Sequence, residues 1–333
     1  MIWKTTAAVL AMLGMAACGG SGTNPFMKAG EETPATPVDG ETINGIPAKL
    51  ARNVTQAAYD PVSETLSLTM QSLDAPKVVA SFKRNAALDL PGYQAYSVQD
   101  DALDRHFTAL AAMSPDPQNS VQAGVAGDGG QFNYYYSGGY YSRRAPYSVP
   151  SNAGNPKQLV SYAGNYAAVT NMNVDSDSPN NDKLPTTVTG TLTPQQAARI
   201  KGDIFFNVSF SDNAVNGAIT NRQLLDGDPA NGAGRRPGVL NLPDIVLVKG
   251  VIDNTAGTFA GEVEHAGKTG ENIGTFGGIF GGTNATGMAG IVQMTEIDEA
   301  DNLGLKNEQE HGVFVLTQCG TPADAPVCAN VNP

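Results

Sequence analysis

The sequence predicts an all-β protein, with a C-terminal up-and-down antiparallel β-barrel of about eight strands preceded by a smaller antiparallel β domain. Three observations carry that prediction. Charged residues make up only 16% of the 333 positions, against roughly 25% in an average globular domain, which leaves few for the solvated faces of helices. The 38 Gly and 21 Pro residues break the chain at short intervals, as turns between strands do. Apolar side chains recur at period two: Ile204, Phe206, Val208 and Phe210 alternate with Phe205, Asn207 and Ser209. A hydrophobic content of 41% supports packed cores rather than a disordered chain. The formal charge of -12 argues against nucleic acid as a partner, because phosphate backbones are held by clustered Lys and Arg.

Residues 1–17 read as an export signal, with Lys4 as the positive start and a short apolar run over 5–14. Met15-Ala16-Ala17-Cys18 resembles the lipobox of bacterial lipoproteins, which implies that Cys18 becomes the acylated N-terminus. No Asp follows Cys18, which in enterobacterial sorting implies the outer membrane. Residues 18–45 are small, polar and rich in Gly, Pro and Thr, and read as a flexible tether. In an oxidising compartment Cys319 and Cys328, with Gly320, Pro322 and Pro326 shaping the loop between them, are expected to form a disulfide.

Residues 46–150 form the smaller β domain. Leu66, Leu68 and Met70 share one strand face, Val78, Ala80 and Phe82 another, and 93–98 make a third strand. Asp100-Asp101 begins a helical turn leading to His106, Phe107 and Leu110. Gly127-Asp128-Gly129-Gly130 signals a hairpin between strands 121–126 and 131–136. After a boundary at 151–157, the barrel of 155–333 is expected to use strands 160–169, 186–193, 203–210, 214–221, 244–252, 257–264, 273–281, 288–295 and 311–318. The inserts 170–185, 194–202, 222–243 and 296–310 are expected to be loops. Glycines inside these strands, among them Gly164, Gly250, Gly261 and Gly277, are assigned to the tight curvature of a small barrel.

The run from Gly274 to Gly290, with Phe280-Gly281, Asn284-Ala285 and Gly290, resembles the signature hairpin of transferrin-binding protein B barrels. Gly282 stands there in place of Pro, and Thr286 and Gly287 in place of acidic residues. The spacing of Val208, Phe210, Asp212, Asn213, Val215, Gly217 and Ile219 is similar to another turn of that family, and His311-Gly312-Val313-Phe314 to its closing strand. The resemblance covers 155–320 and implies a lipid-anchored, non-catalytic barrel protein at the bacterial outer membrane and cell surface. Its partner would be an extracellular protein or a metal or haem carrier, passed on to an outer-membrane receptor. It does not imply transferrin, because transferrin-binding members have two barrel lobes.

Candidate binding residues lie in the aromatic run between 132 and 147: Tyr134, Tyr136, Tyr140 and Tyr141, with Arg143 and Arg144. Tyr and Arg are favoured at binding hot spots, but Tyr134 and Tyr136 face opposite to Tyr135 in a strand, which favours structural packing between the two domains over binding. Gly267-Lys268-Thr269 lacks the first Gly and the following helix of a phosphate loop. Asp175, Asp177 and Asp182 lack the Gly and Glu of an EF-hand and read as a solvated acidic loop. His106, His265 and His311 have no metal-ligand spacing, and His265 and His311, near strand ends, read as surface or structural residues, so neither a metal, a cofactor nor a catalytic centre is expected. Two other functions remain open: a periplasm-facing structural or envelope-assembly lipoprotein, separable by protease treatment of intact cells, and a hydrolase built from loop carboxylates.

Overall fold

A computed structural model describes residues 40–70, 78–99, 104–131, 134–151, 153–156, 158–173, 194–225, 239–297 and 308–331. Its elements are β1 (Thr42–Ile43), β2 (Ile46–Pro47), α1 (Ala48–Ala51), β3 (Val54–Asp60), β4 (Thr65–Met70), β5 (Val78–Arg84), β6 (Gln94–Val98), β7 (Phe107–Met113), β8 (Val121–Asp128) and β9 (Ser137–Arg143). They continue as β10 (Leu159–Asn173), β11 (Ala197–Ser209), β12 (Ala214–Leu225), β13 (Leu240–Asn241), β14 (Ile245–Asp253), β15 (Thr258–His265), β16 (Gly274–Gly281), β17 (Gly287–Met294) and β18 (Glu310–Gln318).

Strands β10, β11, β12 and β14 to β18 pair in a ring of eight antiparallel strands, closed by the β10–β18 and β11–β12 ladders, with β13 added beside β12. Closure leaves no open edge. Before it, β3 to β9 form a seven-stranded antiparallel meander, nearly closed on itself. The all-β class and the eight-stranded barrel agree with the sequence.

Several boundaries differ from the sequence expectation. Residues 197–202, expected in a loop, extend β11, and 222–225 extend β12. The helical turn expected before Phe107 is not formed where the chain is described: residues 107–113 are a strand buried on both faces, which hides its alternation. The strand expected at 131–136 lies instead at Ser137–Arg143; just before it the Asp128 carboxylate accepts the Tyr136 N–H (3.0 Å) in place of a ladder carbonyl. The tether was expected to run to residue 45, yet Asn44 (φ 52°) and Gly45 (φ 81°) make the turn of the β1–β2 hairpin. Asn-Gly is a strong hairpin signal between two isoleucines. The expected strand 186–193 lies outside the described residues.

The meander has a narrow interior. Ala109, Ala111, Gly124, Ala126 and Gly138 occupy one face, and Tyr59, Tyr96 and Tyr140 fill the space they leave. A Cβ on Gly124 would stand 2.7 Å from the Tyr140 ring, so Gly at 124 is set by close approach. The opposite face, with Leu110, Val125 and Gly139, lies against the outside of β10, β17 and β18, where Ala167, Val169, Ala289, Ile291 and Val313 are buried in the same core. Burial on both faces explains why Gly287–Met294 has no polar alternation.

One side chain stitches meander and barrel together. The β10–β18 ladder pairs Ala163 with Thr317 and resumes at Tyr166 with Phe314. Between them the Tyr93 hydroxyl donates to the Asn165 carbonyl (2.8 Å) and accepts the Val315 N–H (3.1 Å), replacing a backbone rung. Tyr93→Phe leaves two part-buried backbone groups without that partner, with an expected loss of about 1 kcal/mol, the net worth of an ordinary hydrogen bond. Urea unfolding together with exchange of the Val315 amide checks this. An unchanged midpoint with a protected amide would show that the hydroxyl does not carry the rung.

Candidate functional site

The barrel interior is filled by its own side chains. Phe206, Phe210, Phe259, Phe276, Phe280 and Phe314 are all buried there with Tyr162 and Tyr166. Ring centroids stand 4.9 Å apart for Phe206–Phe314, Phe210–Phe280 and Phe259–Phe280. Rings at that spacing are in contact and leave the lumen as a packed core. The strand glycines accommodate those rings as well as curvature: a Cβ on Gly290 would lie 2.5 Å from the Phe314 ring.

Two β-bulges set which residues point inward. Val215 and Ile219 of β12 face the core, but Asn221 (φ 52°) interrupts the β11–β12 register and moves the inward position to Arg222 and Leu224. Lys249 (φ 51°) does the same in β14, passing the inward position from Leu247 to Ile252. The first bulge thereby places a charge inside the barrel. The Arg222 guanidinium pairs with the Glu310 carboxylate, both fully buried, and also donates to the Pro243 carbonyl (2.6 Å). The other Glu310 oxygen accepts the Tyr166 hydroxyl (2.6 Å). Burial, followed by the neighbouring Glu310 charge, holds the Tyr166 phenol well above its ordinary pKa.

The two ends of the barrel differ. The connections at 210–213, 254–257 and 282–286 are tight turns at one end. Tyr147 covers that end, with its ring 6.2 Å from Phe280. The connections at 174–196, 226–244, 266–273 and 295–309 leave from the other end, because alternate connections of an antiparallel barrel share an end. The Arg222–Glu310–Tyr166 group closes the core there. Three of the four inserts singled out in the sequence therefore join strands at one end of the barrel.

The tyrosine and arginine candidates are divided among several surroundings. Tyr136 is buried under the Arg105 guanidinium, 4.3 Å from its ring centre, while Arg105 binds Asp128 at 2.6 Å and the Tyr134 carbonyl at 3.1 Å. Tyr134 is half-buried. Tyr140 and Tyr141 are each 7% exposed and point to opposite faces of β9. Burial raises the pKa of both phenols. Arg143 donates to the Phe280 carbonyl (2.7 Å) and the Ala256 carbonyl (2.6 Å), tying β9 to the tight-turn end. Arg144 is exposed and donates to Gln122 (2.9 Å).

Cys319 and Cys328 are joined in a disulfide. Cys18, Asp175, Asp177 and Asp182 lie outside the described residues. Gly267-Lys268-Thr269 belongs to the turn between β15 and β16, where the Lys268 N–H donates to the His265 carbonyl (3.0 Å). His106, His265 and His311 are buried rather than at the surface. Among the described residues no three His, Cys, Asp or Glu side chains gather as a metal-binding group, and no helix is long and apolar enough to cross a membrane.

No protein-family model matches the chain, and no curated protein matches its sequence. Solved structures do match. The chain is similar in structure to transferrin-binding protein B. A double mutant of that vaccine antigen from Haemophilus parasuis Hp5 is 15% identical, with 80% of this chain and 45% of that one covered and a TM-score of 0.34. A single mutant of the same protein gives 15%, 80%, 46% and 0.33. The isotype 1 protein from serogroup B Neisseria meningitidis gives 14%, 78%, 50% and 0.31. The chain spans about half the length of these structures, and likeness at this level carries no ligand from those proteins to this one.

Proposed function

We propose that this chain is an exported, lipid-anchored, non-catalytic binding protein of the outer membrane that holds an extracellular protein, or a metal or haem carrier, at the long-connection end of its barrel. In this reading residues 1–17 are the export signal, Cys18 carries the lipid, and the chain before Gly40 is the tether. The observation that carries it is the pairing of a filled, closed barrel with long connections gathered at one end. A rigid scaffold presenting variable-length loops is a common way to build a recognition surface. A packed lumen directs binding to that surface rather than to the interior.

The test uses the full lipid-free chain from residue 18, immobilised and exposed to serum, with captured proteins identified by mass spectrometry. Short Gly-Ser replacements of 226–238 and of 298–307 are made separately. The expected result is a captured species lost from one or both variants at an unchanged melting temperature. Capture indifferent to both replacements overturns the assignment of binding to this end. Protease treatment of intact cells checks display: a chain left whole would exclude the cell surface.

A further inference from the structure

We propose that the open seam between β3 and β9 is a docking site for an extended segment of a partner polypeptide, laid antiparallel to both strands. The seven strands of the meander pair antiparallel in order, so its first and last strands run in the same direction. They meet at their beginnings, where the Asn53 N–H donates to the Ser137 carbonyl (3.2 Å). Beyond that point β3 has only β4 as a ladder partner and β9 only β8.

The hydrogen-bond phase of β9 is fixed. Asp128 N–H donates to the Tyr136 carbonyl (3.1 Å) and Arg144 N–H to the Ser120 carbonyl (2.7 Å), so the even-numbered peptide groups serve β8. Those of Gly139 and Tyr141 therefore point toward β3. On the other bank the Asn44 side-chain amide donates to the Thr55 carbonyl. A side chain thus stands where the N–H of a neighbouring strand would be. A cavity of about 180 Å³ opens along the seam, lined among others by Ile43, Ile46, Val54, Ala57, Gly139 and Tyr141.

This geometry selects the occupant. Donors and acceptors spaced along two facing edges are matched by another polypeptide backbone, as in strand addition. One inserted strand antiparallel to both edges, entering beyond the Asn53–Ser137 contact and displacing the Asn44 amide from the Thr55 carbonyl, would pair the edge groups of β3 and β9 that have no ladder partner. The lining is mixed, with Asn44, Thr55, Gln56 and Ser142 beside Ile43, Ile46, Val54 and Ala57, and it calls for small side chains at the central positions. The site uses none of the barrel connections, so it stands or falls separately from the proposed binding end.

The experiment pans a displayed random heptapeptide library against the full lipid-free chain. Enriched peptides are then synthesised plain and with alternate amides N-methylated. The plain peptides are expected to slow hydrogen exchange across 54–60 and 137–143, and N-methylation to weaken binding by about tenfold or more, the loss expected when backbone hydrogen bonds are removed. The proposal is overturned if no peptide enriches above background. It is equally overturned if the enriched peptides protect other segments, or if N-methylated and plain forms bind alike.

Discussion

Glu310→Leu is expected to destabilise the protein by about 3–5 kcal/mol, the cost of leaving a buried charge without its partner. The variant leaves the Arg222 guanidinium fully buried inside the barrel with its Pro243 carbonyl contact but no carboxylate. Tyr166 loses the acceptor of its hydroxyl in the same step. The double variant Arg222→Met with Glu310→Leu removes both charges beside Met294, whose sulfur already lies 3.7 Å from the guanidinium. Buried ion pairs replaced together by apolar residues often leave stability unchanged or improved, so the double variant is expected to recover most of the loss. Equilibrium urea unfolding of the wild type, both single variants and the double variant completes the cycle. A Glu310→Leu protein as stable as wild type would show that the pair contributes nothing to holding the barrel end closed.

Stability is expected to fall as pH drops from 6.5 toward 3, with His311 as a principal cause. His311 is fully buried between the barrel and α1; its Nε2 lies 2.9 Å from the Leu50 carbonyl and its Nδ1 3.4 Å from the Ser137 hydroxyl. Burial, reinforced by the positive charge of Arg52 and only partly opposed by the Leu50 hydrogen bond, lowers its pKa from 6.5 to about 3. The unfolded chain takes up a proton below pH 6.5 and the folded chain does not until about pH 3. The contribution of the neutral imidazole is therefore complete above pH 6.5 and is lost as pH falls, at up to about 1.4 kcal/mol per pH unit. His311→Phe removes this group from the balance. The difference in unfolding free energy between wild type and variant should shift in favour of the variant by about 3 kcal/mol between pH 7 and pH 4. A difference independent of pH would assign acid sensitivity to other groups.

Much of the barrel could be read from the residues because its strands β11, β12, β14 and β15 have one face in water. Their alternation survives, as in Phe206, Val208 and Phe210 against the exposed or half-buried Asn207 and Ser209. Strands covered on both faces lose that signal, which is why Phe107–Met113 could be mistaken for the sequel of a helical turn. The shift of β9 to Ser137–Arg143 depended on Asp128 meeting Arg105 and the Tyr136 N–H. Asn44-Gly45 is a local hairpin signal set in a stretch whose overall composition is that of a tether, so composition and turn chemistry point different ways there. The aromatic run was conspicuous as composition, but composition could not separate Tyr136 under a guanidinium, Tyr140 inside the meander and Arg143 bound to a barrel turn.

The all-β class and the barrel in the C-terminal half are legible in the residues alone. These follow from local periodicity and turn chemistry, which each strand carries in its own residues. Long-range contacts settle the rest: the lumen is packed with aromatic rings, the Asn221 bulge turns Arg222 inward to Glu310, Tyr93 completes a barrel rung, and β3 and β9 face each other across an open seam. Each of these depends on residues far apart in the chain meeting at a distance of a few ångströms. Side-chain period along one strand specifies a face, whereas closure, register and the partner waiting on that face are properties of the strands assembled together.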